Sequence, residues 1–265
     1  MSKKVIVLGG GVAGLSAAHE LSERGFQVTV YEKKSIAGGK ARSVPVPKSA
    51  KPGHVDLPGE HGFRFFPSFY RHITDTMKRI PVGNSTAYNN LVPTTRAEIT
   101  RYGKPGILLL TQFPRSFKEL NIMIQSAVGY AEDIGLKPCE LEFFIKRMWQ
   151  FLTSCQDRRL DDLEKIGWWE FLDADNHSSA YQKFLAEGLT RSLVAADAHV
   201  ANAKIEGDIG MQLMMGLASP GVNTDRLLNG PTNEVWIDPW VEFMETKRGV
   251  KYIRETHILL FLGPP

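Results

Sequence analysis

An α/β fold with a mostly parallel, doubly wound sheet is what this sequence predicts, and three observations near its start carry that reading. Val5-Ile6-Val7-Leu8 is a continuous apolar run rich in β-branched residues, as expected of a strand buried on both faces. Gly9-Gly10-Gly11-Val12-Ala13-Gly14 follows at once and matches G-x-G-x-x-G. A second β-rich run, Gln27 to Tyr31, ends in the acid Glu32, 23 residues after Gly9. Between the two runs lies an amphipathic stretch, Leu15 to Arg24, with Gly25 placed as its C-cap.

Each part has a mechanical reason. Gly9 permits the tight strand-to-helix turn, and Gly11 lets the backbone approach a pyrophosphate. Gly14, with Ala17 and Ala18, lets the helix pack closely on the sheet. Val12 and Ala13 open that helix, whose free N–H groups and positive dipole end face the phosphates. A carboxylate at Glu32, with Lys33 beside it, can accept hydrogen bonds from both ribose hydroxyls and would repel a 2′-phosphate. A lone glycine motif is weak evidence. Here strand, turn, helix and acid come in the required order.

The next stretch, Ile36-Ala37-Gly38-Gly39-Lys40-Ala41-Arg42-Ser43, resembles the flavoprotein superfamily that includes monoamine oxidases and phytoene desaturases. That resemblance implies FAD as cofactor, with Gly39, Lys40 and Arg42 near its pyrophosphate. Gly59 to His72 packs five aromatics, two arginines and two histidines into fourteen residues. It resembles a signature of bacterial FAD-dependent oxidoreductases of the phytoene desaturase and hydroxysqualene dehydroxylase type. The resemblance implies that Gly62, Phe63 and Arg64 contact the cofactor, with Phe65 and Phe66 in a pocket wall. Asn229 to Trp240 resembles the same family, where such a segment leads into a helix and a strand that rejoins the sheet. Val241 to Thr246 and Val250 to Ile253 fit that helix and strand.

From about Pro114 to Ser219 the texture is helical. Leu141, Ile145, Met148, Trp149 and Leu152 recur at helical spacing within Glu140–Ser154. Helices are also expected over Leu163–Leu172 and Tyr181–Ala196, and more weakly over Asn202–Leu217. Phe143, Phe144, Met148 and Trp149, and the run Met211 to Met215, read as core. The expected organisation is a discontinuous Rossmann-type FAD-binding domain, residues 1–110 and 220–265, with a helical substrate domain, residues 111–219, inserted.

Composition excludes several classes. A net charge of +3 over 265 residues, with no basic tail, gives no support for nucleic acid. The seven histidines show no metal-binding spacing, so no metal is expected, and His61 and His72 read as ordinary loop histidines. Cys139 and Cys155 form no disulfide framework and read as reduced core thiols. The first apolar run is too short for a signal peptide, and no run of about 20 apolar residues suggests a spanning helix. A cytoplasmic protein is expected, with peripheral membrane contact left open.

Relatives of the resembled kind continue well past residue 265, so the chain is expected to be incomplete at its C-terminus. Self-association or a partner chain completing the fold is expected with it, and the apolar tail 258–262 is the expected sticky element. The function implied by the resemblance is oxidation of an apolar, isoprenoid-like substrate by desaturation or dehydroxylation, with flavin as hydride acceptor. An amine oxidase of the same fold and an inactive flavin-binding or interaction module remain alternatives. An NAD-dependent dehydrogenase is disfavoured by the Gly38-Gly39-Lys40 turn. No catalytic acid or base is identified.

Overall fold

The computed structural model describes residues 3–62 and 65–257. Phe63, Arg64 and the tail 258–262, all singled out above, lie outside the described residues. The principal elements, in chain order, are β1 (Lys4–Leu8), α1 (Val12–Glu23), β2 (Gln27–Tyr31), α2 (Arg71–Lys78), β3 (Leu91–Pro93), β4 (Arg96–Arg101) and β5 (Lys104–Leu110). They continue with α3 (Phe117–Asp133), α4 (Pro138–Leu152), α5 (Glu187–Val194), α6 (Ala203–Ala218), β6 (Arg226–Leu228), α7 (Asp238–Arg248) and β7 (Lys251–Ile253). Contacts divide the chain into Met1–Pro93 with Asp225–Pro265, and Thr94–Thr224. The division falls at 93 rather than 110 because the hairpin β4–β5 packs against α3. The residue that follows β5 also pairs with the last residue of the second unit, Thr224 N–H donating to Thr111 O at 3.2 Å.

In the first unit the βαβ pattern becomes a parallel sheet in the order β1-β2-β7. Its register sorts the side chains into two rows. Val5 and Val7 lie beside Val28 and Val30, and Tyr252 of β7 beside Val30. This row is packed with Leu15 and Ala18 of α1 and with Trp240, Val241 and Met244 of α7. The other row holds Ile6 and Leu8, which are 63% and 52% exposed. The expectation that β1 is buried on both faces is therefore corrected. Both helices lie on one face, and among the described residues none covers the other.

α1 is tied to α7 by a buried polar pair. The Trp240 indole N–H donates to His19 Nδ1 at 2.9 Å. His19 Nε2 lies 3.1 Å from Glu23 Oε1, so the proton of the neutral ring sits on Nε2. Burial pushes the His19 imidazole below its ordinary value, and Glu23 offsets part of that effect.

The second unit departs from its expected helices where the backbone is used for something else. Leu163–Leu172 is not one helix. Gly167 is extended and bridges Asn202, and Trp168 N–H donates to Ala201 O at 2.8 Å, so a short helix restarts at Trp168–Phe171. Tyr181–Ala196 is broken by a wide helical turn at Gln182–Ala186, and α5 ends at Ala195 in a left-handed conformation. α6 forms as anticipated, with the Asn202 side chain accepting the Ile205 N–H at 2.8 Å. On α4, Met148 and Phe151 are buried, but Trp149 is exposed, as are Met214 and Met215 on α6. Those three are corrections to the core reading. Cys139 and Cys155 are also exposed, because one lies in the open first turn of α4 and the other caps the next short helix. They are not core thiols. Among the described residues no helix is long and apolar enough to cross a membrane.

The His19 pair gives the first unit a pH signature. The unfolded ring titrates near 6.5 and the folded ring lower, so the unfolded state binds more protons below 6.5. Stability contributed by the neutral ring is full above that value and is lost as pH falls toward the folded pKa. Thermal melts from pH 8 to 5 should fall more steeply below pH 6.5 for the parent than for His19→Gln, which keeps both hydrogen bonds without titrating. Parallel curves would contradict the assignment.

Candidate dinucleotide-binding site

The site is built where β1 and β2 end. Gly9 leaves β1 with φ +103° and donates its N–H to Tyr31 O at 2.8 Å, a turn that a side-chain-bearing residue rarely adopts. Gly14, one turn into α1, sits so close that a Cβ there would stand 1.9 Å from Gly9 O. The helix can start tight against the strand only without that atom. Gly11 is the N-cap of α1. It has no side-chain cap, and there is no acid in the first turn. The N–H groups at Val12 and Ala13 therefore have no intrahelical acceptor and define a positive pole.

Glu32 is the buried acid of the site. Its Oε2 accepts the Gly10 N–H at 2.6 Å and its Oε1 accepts the Lys34 N–H at 2.7 Å. Each oxygen keeps a further lone pair for a ligand hydroxyl. β7 brings Tyr252 against the same spot. Its hydroxyl is buried without a partner among the described residues, and burial and then the Glu32 charge push the phenol well above its ordinary range. A Cβ on Gly10 would lie 1.8 Å from that hydroxyl oxygen and 3.0 Å from Glu32 Oε2. Sequence reasoning gave roles to the first and third glycines of the run and missed Gly10. The signal was a third consecutive glycine, which the motif does not require.

The Gly38-Gly39 turn lies back to back with the first one. Gly38 N–H donates to Gly10 O at 2.8 Å, and Gly11 bridges Gly38. A Cβ on Gly39 would stand 3.0 Å from Gly11 Cα. Arg42 folds back to donate from Nη1 to Gly39 O at 2.9 Å, and Lys33 and Lys40 are exposed. The turn is clamped from the far end of the sequence. Asn233 Oδ1 accepts the Ser43 N–H at 2.8 Å, while Glu60 Oε1 accepts the Ser43 hydroxyl at 2.7 Å and the Thr232 N–H at 2.9 Å. Asn233, Glu60 and Ser43 were not singled out from the sequence, since each is an ordinary polar residue whose partner is distant.

The structure thus brings together Gly9, Gly11, Val12, Ala13, Gly14, Glu32, Gly39 and Arg42. Gly62 is exposed, with open space around it. His61 Nδ1 lies 3.0 Å from Arg42 O, beside the turn. Phe66 is core, set edge-on to Trp236 at 5.4 Å. It also lines a separate cavity of about 840 Å³ along α1 and α2 that shares Val12 with the site. That cavity holds neither Glu32 nor the glycine turns.

Comparisons with known proteins agree with this geometry. Residues 7–80 match the family described as an NAD(P)-binding Rossmann-like domain. The carotenoid phi-ring synthase of Chlorobaculum tepidum is 34% identical over 82 residues, covering 31% of this chain and 12% of that protein. The all-trans-zeta-carotene desaturase of Myxococcus xanthus is 31% identical over 135 residues, covering 44% of this chain and 25% of that protein. A putative protoporphyrinogen oxidase from Exiguobacterium superposes with TM-score 0.53 at 18% identity, over 98% of this chain and 54% of the other. The chain therefore spans about half the length of that structure. The fold is that of a Rossmann-like domain with a dinucleotide-type crevice. The proteins it is similar to include carotenoid desaturases and, over 42 to 43 residues, plant protoporphyrinogen oxidases.

Two substitutions separate packing from ligand contact. Gly10→Ala should lower the stability of the free protein by about 1–3 kcal/mol, the order of an overpacked site. Gly11→Ala places its Cβ at an ordinary 3.7 Å from Gly39 Cα and should leave the free protein nearly unchanged while weakening nucleotide binding. Denaturant melts and nucleotide titration of both variants check this. Equal stabilities would contradict the crowding at Gly10.

Proposed function

We propose that this chain is the dinucleotide-holding portion of an FAD-dependent oxidoreductase acting on an apolar, isoprenoid-like substrate by desaturation or dehydroxylation. The observation that carries the cofactor reading is the pairing of a capless α1 N-terminus with the buried, doubly hydrogen-bonded Glu32 across two abutting glycine turns. The residues fit the group. A backbone cradle without Cβ atoms suits a pyrophosphate, and the lone pairs left on the Glu32 carboxylate suit a polyhydroxylated ligand.

Glu32 would hold ribose hydroxyls, and the N–H groups of Gly11, Val12 and Ala13 the phosphates. Arg42 is held against the second turn by Gly39 O and would add positive charge there. Glu32 would disfavour a 2′-phosphate by like-charge repulsion. FAD, when bound, would supply the hydride acceptor that the side chains themselves lack. The substrate class is supported by the carotenoid relatives, a warrant by association.

The test is thermal stability of the purified chain with FAD, FMN, NAD and NADP, together with the absorbance spectrum of any released cofactor. FAD at about 100 times its Kd should add roughly 2.7 kcal/mol. Glu32→Ala should remove about 1–3 kcal/mol of the binding, as expected when buried hydroxyls lose a charged acceptor. Stabilisation by NADP alone would overturn the reading.

A further inference from the structure

The second unit contains two buried glutamates in opposite situations. Glu140, at the start of α4, accepts the Ser178 N–H at 2.7 Å, the Ser178 hydroxyl at 2.9 Å and the Lys137 N–H at 3.1 Å. Burial alone would push its carboxyl up, but these donors hold it below the usual range. Glu206, in the first turn of α6, is 7% exposed. Its carboxyl has no hydrogen-bond or ion-pair partner among the described residues, and burial, the sole influence on it, pushes it above the ordinary carboxylate range. The residue is enclosed, but its carboxyl opens on a cavity, and a carboxyl so placed without a protein partner is costly unless something else meets it. Glu140 shows that this unit satisfies such a group where packing alone is at stake.

Glu206 faces a cavity of about 220 Å³ walled mainly by Phe144, Met148, Trp168, Ile209 and Leu213. The Trp168 indole N–H is already engaged, donating to Ala186 O at 3.1 Å. Thr190 is the other polar side chain on the wall. Its hydroxyl donates to Glu187 O at 2.9 Å, which leaves lone pairs to accept. Gly210 lies one helical turn beyond Glu206, on the same face of α6. A Cβ there would meet nothing within 4 Å, whereas Gly207 is required because its Cβ would fall 2.2 Å from the Phe151 ring. Glycine inside a helix costs about 1 kcal/mol relative to alanine, so at position 210 space is kept where a side chain would stabilise the helix.

We propose that this cavity is a binding site for a neutral apolar molecule, or the end of one, that carries a single hydroxyl hydrogen-bonded to the Glu206 carboxyl. The volume admits about seven non-hydrogen atoms at ~30 Å³ each, the share of a water molecule in the liquid. A carboxyl oxygen accepts a hydrogen bond from a hydroxyl, while the walls take the hydrocarbon. Every residue named lies in the second unit, so the site does not depend on the dinucleotide reading.

The test titrates the full chain with 1-hexanol, hexane and hexylamine at pH 7 by calorimetry, with thermal melts to confirm that each variant folds. Hexanol should bind at least tenfold more tightly than hexane. Glu206→Leu should abolish that preference, Glu206→Gln should keep hexanol within about threefold of the parent, and Gly210→Leu, which fills the cavity but leaves Glu206, should abolish binding of both. Tighter binding of hexylamine than of hexanol would show a cation site and overturn the proposal. So would hexanol binding that survives Gly210→Leu, or no binding by any of the three, which would mark a water-filled cavity.

Discussion

Glu32 and the Gly10 N–H meet at 2.6 Å, and the architecture around the strand ends depends on that approach. The acid ends β2, the glycine ends β1, and their contact requires the two strands to be in the observed register, Leu8 beside Tyr31. It also requires Gly10 to lack a side chain, because Tyr252 of β7 occupies the space a Cβ would need. Three strands from opposite ends of the sequence thus converge on one carboxylate. A charge-assisted hydrogen bond of this length is strong and directional. It holds the turn in place before any ligand arrives.

The second glycine turn extends the same constraint. Gly38 hangs on Gly10 O, and the Ser43–Asn233–Glu60 clamp holds the segment that follows. Asn233 also donates to Asp238, the first residue of α7. The element that delivers Tyr252 is thereby linked to the turn it completes. Backbone close approach, rather than side-chain chemistry, sets the shape of the crevice. This explains why charged residues that looked suggestive, Lys33 and Lys40, lie exposed around it.

Much of this was legible in the sequence because βαβ geometry is a local problem. The run Val5–Leu8, the glycine motif and Glu32 fall within 28 consecutive residues, and period, turn and cap all point one way. The rejoining strand was legible through resemblance alone. What stayed hidden was non-local. Asn233 reaches Ser43 across 190 residues, and nothing in either residue's neighbourhood announces it. The burial of both faces of β1 was over-read because an apolar run does not say how many layers cover it. The helices of the second unit were over-extended because Gly167 and the turn at Gln182–Ala186 trade helix for pairing and packing. Glu206 carried no signal at all. Its meaning comes from a cavity assembled from α4, α6 and the segments between them.

The place where a dinucleotide touches the chain decides between the glycine crevice and any other surface. The most direct measurement is the set of backbone amide NMR shifts during titration with FAD. The account predicts the largest changes at Gly10, Gly11, Val12 and Ala13, at Glu32 to Lys34, and at Gly38 and Gly39, saturating together. Changes confined to residues along α2 and the cavity beside it, with the glycine turns and Glu32 unmoved, would contradict it.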